Sequence, residues 1–189
     1  MCAQFYTDME TAAAVRSFTG KEAECRTGEV RPSEAAVVLT SDSEGRRAPK
    51  MIWGFPSPRG QGLVINARSE TLLEKPMFRE NCLYRRCAIP AGRFCEWDAV
   101  KERVTFADPV RPVLFLAGIY ELTTDLPRFV VLTREANESV RCYHDRMPLL
   151  LRREELESWL VPGGAFQPLL RAEMPMLRAW KDSEQLTFF

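Results

Sequence analysis

Five short runs between residues 85 and 133 constrain this chain more than any other feature. "RRCAIPA", "RFCEWD", "RVTFA", "VLFLAGIYE" and "RFVVLT" are rich in β-branched and aromatic residues and are split by turns. That pattern is typical of an antiparallel β architecture. Further strands are expected at "AAVVLT" (35–40), "KMIWGF" (50–55) and "GLVINA" (62–67), the last two flanking "PSPRGQG", whose Pro and Gly break any regular element. Residues 8–19 read as a helix, with Asp8 near its start and Gly20 past its end. "SETLLEKPMFREN" reads as another, with Thr71 and Glu74 fitting a capping box and Pro76 placed to bend or interrupt it. "ANESVRCYH" and, more strongly, "REELESWL" are helical, and the tail "EQLTFF" is expected to dock back on the body. The sum is an α+β fold: one compact domain over 2–189, with a curved or barrel-like, mainly antiparallel β core flanked by helices.

Bulk properties bound the function. The chain has 189 residues, 46% hydrophobic and 28% charged, enough for one well-filled core. Its formal net charge is zero, so contact with nucleic acid needs a local patch rather than a global field. The longest apolar run, "PVLFLAGIY", is strand-sized and too short to span a bilayer. The opening "MCAQFYTDMETAAAVRS" carries Asp8 and Glu10 and lacks the apolar stretch of a signal peptide. A cytoplasmic location with reduced thiols is expected, without membrane association. Cysteines at 2, 25, 82, 87, 95 and 142 form no CxxC and there is one histidine. No metal site and no cofactor are therefore expected, and the thiols should be free and buried or half-buried, Cys2 excepted.

Four places carry groups suited to chemistry. Residue 2 is small, so removal of Met1 is expected, leaving Cys2 with an α-amine (pKa about 7.7–8.0) beside its thiol (about 8.5). Such an aminothiol condenses with an aldehyde to an imine and closes a five-membered thiazolidine, or acts as an N-terminal nucleophile with its own amine as base. In "RFCEWD", strand alternation puts Phe94 and Glu96 on one face and Cys95 and Trp97 on the other. Glu96 is then either a water-facing residue of an edge strand or a carboxyl whose apolar surroundings raise its pKa for proton transfer. His144, at a helix end beside Asp145 and Arg146, is either structural or poised near neutral pH. In "INARSET", Asn66 ends a strand and Arg68 offers a planar fork that suits phosphate. The alternative there is a strand-to-helix turn in which Asn66 only satisfies backbone groups.

Together the opening "MC", then "NARSET", "IPAGRFCEW" and "HDRMP" resemble, in order and rough spacing, the SRAP family of SOS response-associated peptidase-like or abasic-site processing proteins. The similarity runs from Cys2 to about Leu151 and includes "KMIWGF", "RRC" and "FVVLTREAN". The resemblance implies a β-barrel-like core and binding of single-stranded DNA containing abasic sites, including junctions with duplex. It also implies a thiazolidine crosslink between the mature N-terminal cysteine, here Cys2, and the lesion's aldehyde. It makes Asn66 the residue that orients the cysteine, Glu96 and His144 the proton carriers, Thr133 a site-lining residue, Arg68 a phosphate contact and Trp53 a stacking partner for a base. A monomer is expected. Arg46, Arg47, Lys50, Arg68, Lys75, Arg79, Arg85 and Arg86 are either a solvated face or, as the resemblance implies, a DNA groove, which would make binding weaken as salt rises. Relatives usually begin Met-Cys-Gly-Arg and carry A-x-G-F-Y-E-W. Here Ala3 and Gln4 follow Cys2, the glycine of "AGRFCEW" comes one place early, and Arg93 and Cys95 are substituted. Two other readings are an N-terminal-nucleophile peptidase and a non-catalytic module that binds single-stranded DNA.

Overall fold

The computed structural model describes residues 2–22 and 24–181. Along the chain run β1 (Gln4–Thr7), α1 (Met9–Thr19), β2 (Gly28–Val30), β3 (Ala35–Val37), β4 (Thr40–Asp42), β5 (Gly45–Arg47), β6 (Lys50–Trp53), β7 (Phe55–Pro56) and β8 (Leu63–Val64). After them come β9 (Asn66–Arg68), α2 (Pro76–Tyr84), β10 (Arg86–Ala91), β11 (Arg93–Trp97), β12 (Arg103–Ala107), β13 (Leu114–Glu121) and β14 (Arg128–Glu135). The last are α3 (Glu138–Arg141), β15 (Arg146–Pro148), β16 (Leu150–Leu151), α4 (Leu156–Leu160) and β17 (Arg178–Lys181). All five runs that opened the sequence reading are strands.

The strands form two principal sheets. One is ordered β17-β12-β11-β1-β2 and is antiparallel throughout. The other is ordered β10-β13-β14-β6-β3, with β9 and β15 also on β14 and β16 on β13. Within it, β14 runs antiparallel to β13 and β15 but parallel to β6 and β9. This sheet curls until Leu39, just past β3, exchanges two backbone hydrogen bonds with Ala88 of β10. That contact is a single bridge between two residues, so the core is α+β and curved, but no closed barrel forms.

The two sheets meet through aromatic side chains. Phe5, Phe94 and Phe106 lie directly opposite one another across β1, β11 and β12 and are fully buried. Phe5 packs on Trp53 at 5.1 Å between ring centroids, and Trp53 stacks on Phe129 of β14 at 6.1 Å. Burying each such side chain contributes about 1.5–3 kcal/mol. Trp53 also donates its indole N–H to the Ile65 carbonyl at 2.9 Å, which satisfies its one polar atom.

Local sequence explains the element ends, with some corrections. Asp8 caps α1: its carboxylate accepts from Thr11 N at 3.0 Å, and Thr11 Oγ1 accepts from Asp8 N at 2.8 Å. Gly20 closes that helix in the left-handed conformation, φ 71°. "AAVVLT" is not one strand, because Leu39 turns aside to bridge β10. "KMIWGF" breaks at Gly54, whose φ of 114° few other residues adopt. Pro76 does not bend a helix; it opens α2 at the first turn, where its missing N–H costs nothing. Upstream of it is only a 3-10 turn, Ser69–Thr71, and the Thr71–Glu74 capping box does not form. "REELESWL" yields a 3-10 turn, Arg153–Glu155, and the five-residue α4. "EQLTFF" lies outside the described residues.

Candidate active site at Cys2

Cys2 lies two residues before β1. It is 0% exposed, and Asn66 Nδ2 donates to its carbonyl oxygen at 2.8 Å. Its Sγ lies 3.8 Å from the Gln4 carbonyl. The thiols expected to be hidden and the one expected to be available exchange places: Cys2 is buried and Cys142 is exposed. Burial pushes the Cys2 thiol well above its ordinary pKa, and the nearby Glu96 charge pushes it further in the same direction.

Glu96 is not on an edge strand. β11 lies between β12 and β1, and alternation turns Glu96 inward with Phe94, leaving it 1% exposed. Burial raises its carboxyl from 4.5 to about 7. His144 Nε2 stands 3.9 Å from Glu96 Oε2, and burial lowers its pKa. The backbone of His144 is set by the end of α3, its N–H donating to the Val140 carbonyl at 3.0 Å. A carboxyl raised to about 7 can give and take a proton near neutral pH.

Asn66 begins β9 rather than ending a strand. It lies opposite Val131 of β14, and Arg68 opposite Thr133. Asn66 therefore both holds Cys2 and belongs to the sheet. Its Oδ1 and the Oγ1 of fully buried Thr133 are buried without hydrogen-bond partners among the described residues. Native cores seldom tolerate such atoms unless a site needs them. Arg68 is exposed and available to an anion.

Other readings need correction. Trp53 is fully buried between Phe5 and Phe129, so it offers no face to a base. Nor do the eight basic residues form one groove. Arg86 is 2% exposed inside the molecule, and Arg46, Arg47, Lys50 and Arg85 pair with Glu157, Asp42 and Glu44, Glu24, and Glu80 respectively. Gln4 is buried, donating to Tyr6 Oη at 2.8 Å, and the Arg93 guanidinium lies over the Tyr6 ring at 4.1 Å, so neither reaches out in place of the missing arginine. The early glycine has a cause: a Cβ on Gly92 would fall 2.3 Å from the Asp8 carboxylate that caps α1. Glu70 and Arg146, which join through two bonds of 2.8 Å, were not singled out as a pair. The signal was present, since each stands a few residues after a candidate, in "NARSE" and "HDR".

The SRAP family model, described as SOS response associated peptidase, matches residues 1–186. The chain belongs to the SRAP family. Among its SRAP relatives, Abasic site processing protein YoaM of Bacillus subtilis is 33% identical over 147 residues, covering 70% of this chain and 65% of its own length. Abasic site processing protein YedK of Escherichia coli is 26% identical over 140 residues, covering 69% and 63%. The chain thus spans just under two thirds of the length of these relatives. The SRAP chain superposes on a solved protein from Bacteroides thetaiotaomicron with TM-score 0.78 at 22% identity, covering 95% of this chain and 91% of that one. A protein from Bordetella bronchiseptica gives 0.78 at 21% identity, covering 95% and 99%. Both share the fold. Among the described residues of this SRAP chain, no helix is long and apolar enough to cross a membrane.

Proposed function

We propose that this chain, once Met1 is removed, captures abasic sites in single-stranded DNA by closing a thiazolidine between Cys2 and the lesion's aldehyde. The observation that carries the reading is Cys2 fixed by the Asn66 amide at 2.8 Å while the charge of the paired Glu96 acts on its thiol. The names of the relatives, abasic site processing proteins, support the abasic site as the target. The working unit is taken as residues 2–189, acting as a monomer in the cytoplasm.

A ring-opened abasic sugar presents an aldehyde carbon. The Cys2 amine adds to it, and the resulting carbinolamine loses water, its hydroxyl leaving with a proton from a neighbouring acid. The Cys2 sulfur then adds to the imine carbon, and the thiol proton passes to the nitrogen. Because burial holds that proton on sulfur, ring closure needs a base at hand. Glu96, at about 7, is matched to both tasks: protonated it serves the departing hydroxyl, and ionised it takes the thiol proton. His144 faces the same carboxylate and exchanges protons with it. Arg68, exposed beside Asn66, holds a phosphate of the strand.

The test is intact mass before and after incubation with an abasic single strand. Protein starting at Cys2 should gain the mass of the strand less one water, and Cys2→Ala should gain nothing. No adduct from protein confirmed to begin at Cys2, or an equal adduct from Cys2→Ala, would overturn the reading. The family description contains the word peptidase. Turnover of added peptides, lost in Cys2→Ser, would favour that second activity.

A further inference from the structure

The backbone of one residue governs the far side of the His144 ring. The Arg146 N–H donates to Nδ1 at 2.9 Å, and the Arg146 carbonyl oxygen stands 3.1 Å from the same atom. On the near side, Nε2 faces Glu96 Oε2 at 3.9 Å. A peptide N–H cannot surrender its hydrogen or rotate it away. In the neutral ring Nδ1 must offer it a lone pair, which leaves the ring proton on Nε2. The Arg146 carbonyl at 3.1 Å would suit an Nδ1–H, but that hydrogen would meet the Arg146 N–H head-on.

Arg146 is held from a distance. Arg146 opens β15 opposite Glu135 of β14. Its guanidinium donates to both Glu70 carboxylate oxygens at 2.8 Å each and to the Thr133 carbonyl at 2.8 Å. Glu70 Oε1 also accepts from Glu135 N at 3.2 Å. Glu70 sits in the 3-10 turn that directly follows β9, the strand that begins with Asn66. It therefore ties the segment that fixes Cys2 to the segment that carries His144.

We propose that Glu70 is a positioning residue for His144: by gripping Arg146 it fixes the Arg146 backbone against Nδ1 and keeps the neutral imidazole in the tautomer whose proton faces Glu96. The consequence for chemistry rests on His144 being a proton carrier of the proposed function. In that state His144 donates toward the carboxylate, which leaves Glu96 as the base for the Cys2 thiol.

Because the chain has one histidine, its two ring nitrogens can be followed in nitrogen-15-labelled protein without assignment ambiguity. In the free parent protein, above the His144 titration, the proton should be found on Nε2. Glu70→Gln removes the charge that grips the fork, and the preference for Nε2 should fall about five-fold, the equivalent of weakening one hydrogen bond. The pH profile of adduct formation should move with it. Arg146→Lys keeps the charge but loses the fork, and should shift the ring signals in the same direction. If Glu70→Gln loses its fold by circular dichroism, the lysine variant decides. A proton on Nδ1 in the parent, or ring signals unchanged in the folded variants, would overturn the inference. Failure of the parent to form an adduct would instead sink the proposed function and leave the ring-nitrogen result standing.

Discussion

Two buried polar centres in this protein are built on opposite terms. Around Arg86 four of the five guanidinium N–H donors are answered: Nε donates to Trp159 O at 2.5 Å, Nη1 to Cys82 O and Leu83 O at 2.6 and 2.7 Å, and Nη2 to Val161 O at 2.6 Å. The Phe166 ring covers the guanidinium at 4.2 Å. Asn66 makes one firm bond to Cys2, and its Oδ1, like Thr133 Oγ1 two positions along β14 from its partner Val131, is buried without a partner among the described residues. Burial alone therefore does not mark a site. A charge with four of its five donors answered by backbone carbonyls closes a fold, whereas buried acceptors left open are, on the proposed function, where a reactant is met.

The contrast can be attacked at either end. The largest effect belongs to Cys2: Cys2→Ala should abolish the covalent adduct on a denaturing gel while leaving the fold intact. Glu96→Gln comes next and should slow adduct formation roughly 10²–10⁴-fold, the usual worth of a general acid–base group. Unchanged single-turnover rates in that variant would place the proton traffic elsewhere. At the closed centre the effect should fall on stability instead. Arg86→Met leaves four carbonyls without their donor and should cost about 3–5 kcal/mol in urea unfolding. Adduct rates per folded molecule should not change, and a rate loss there would blur the distinction between the two centres.

A smaller effect has a definite sign in pH. Glu96 titrates at about 7 in the folded protein against an ordinary 4.5. Between those values the folded state holds a proton that the unfolded chain has released, so stability falls as pH rises from 4.5 through about 7. The loss is at most about 3 kcal/mol, and Glu96→Gln should flatten it. Smallest of all, Thr133→Val should alter stability by no more than about 1 kcal/mol, since its hydroxyl has no bond to lose. Its adduct rate should nonetheless drop, and equal rates would remove Thr133 from the site.

The strands of residues 86–135 and the ends of α1 were legible because their signals are local: alternating apolar residues, Asp8 as cap, Gly20 as stop. Glu96 was legible as a type of residue but not as a buried one, since nothing in "RFCEWD" says whether β1 covers its far side. Arg86 was misread for a related reason. A surface arginine and one solvated by four carbonyls look alike until residues 82–83 and 159–161 are brought to it. Trp53 failed in the same way, its burial being decided by Phe5 and Phe129 from distant strands. The link from Glu70 to Arg146 spans 76 positions, so each partner is visible beside a candidate residue but their pairing is not.

The parallel pairing of β14 with β9 bears on when the proposed site can be completed. Of the residues at the site, ribosomes deliver Cys2 first and His144 last. Asn66 finds its register only against Val131, and that closure over a long loop is a late event. On the proposed function, a nascent chain carries its nucleophile throughout synthesis while Glu96 and His144, the proposed proton carriers, are still unmade.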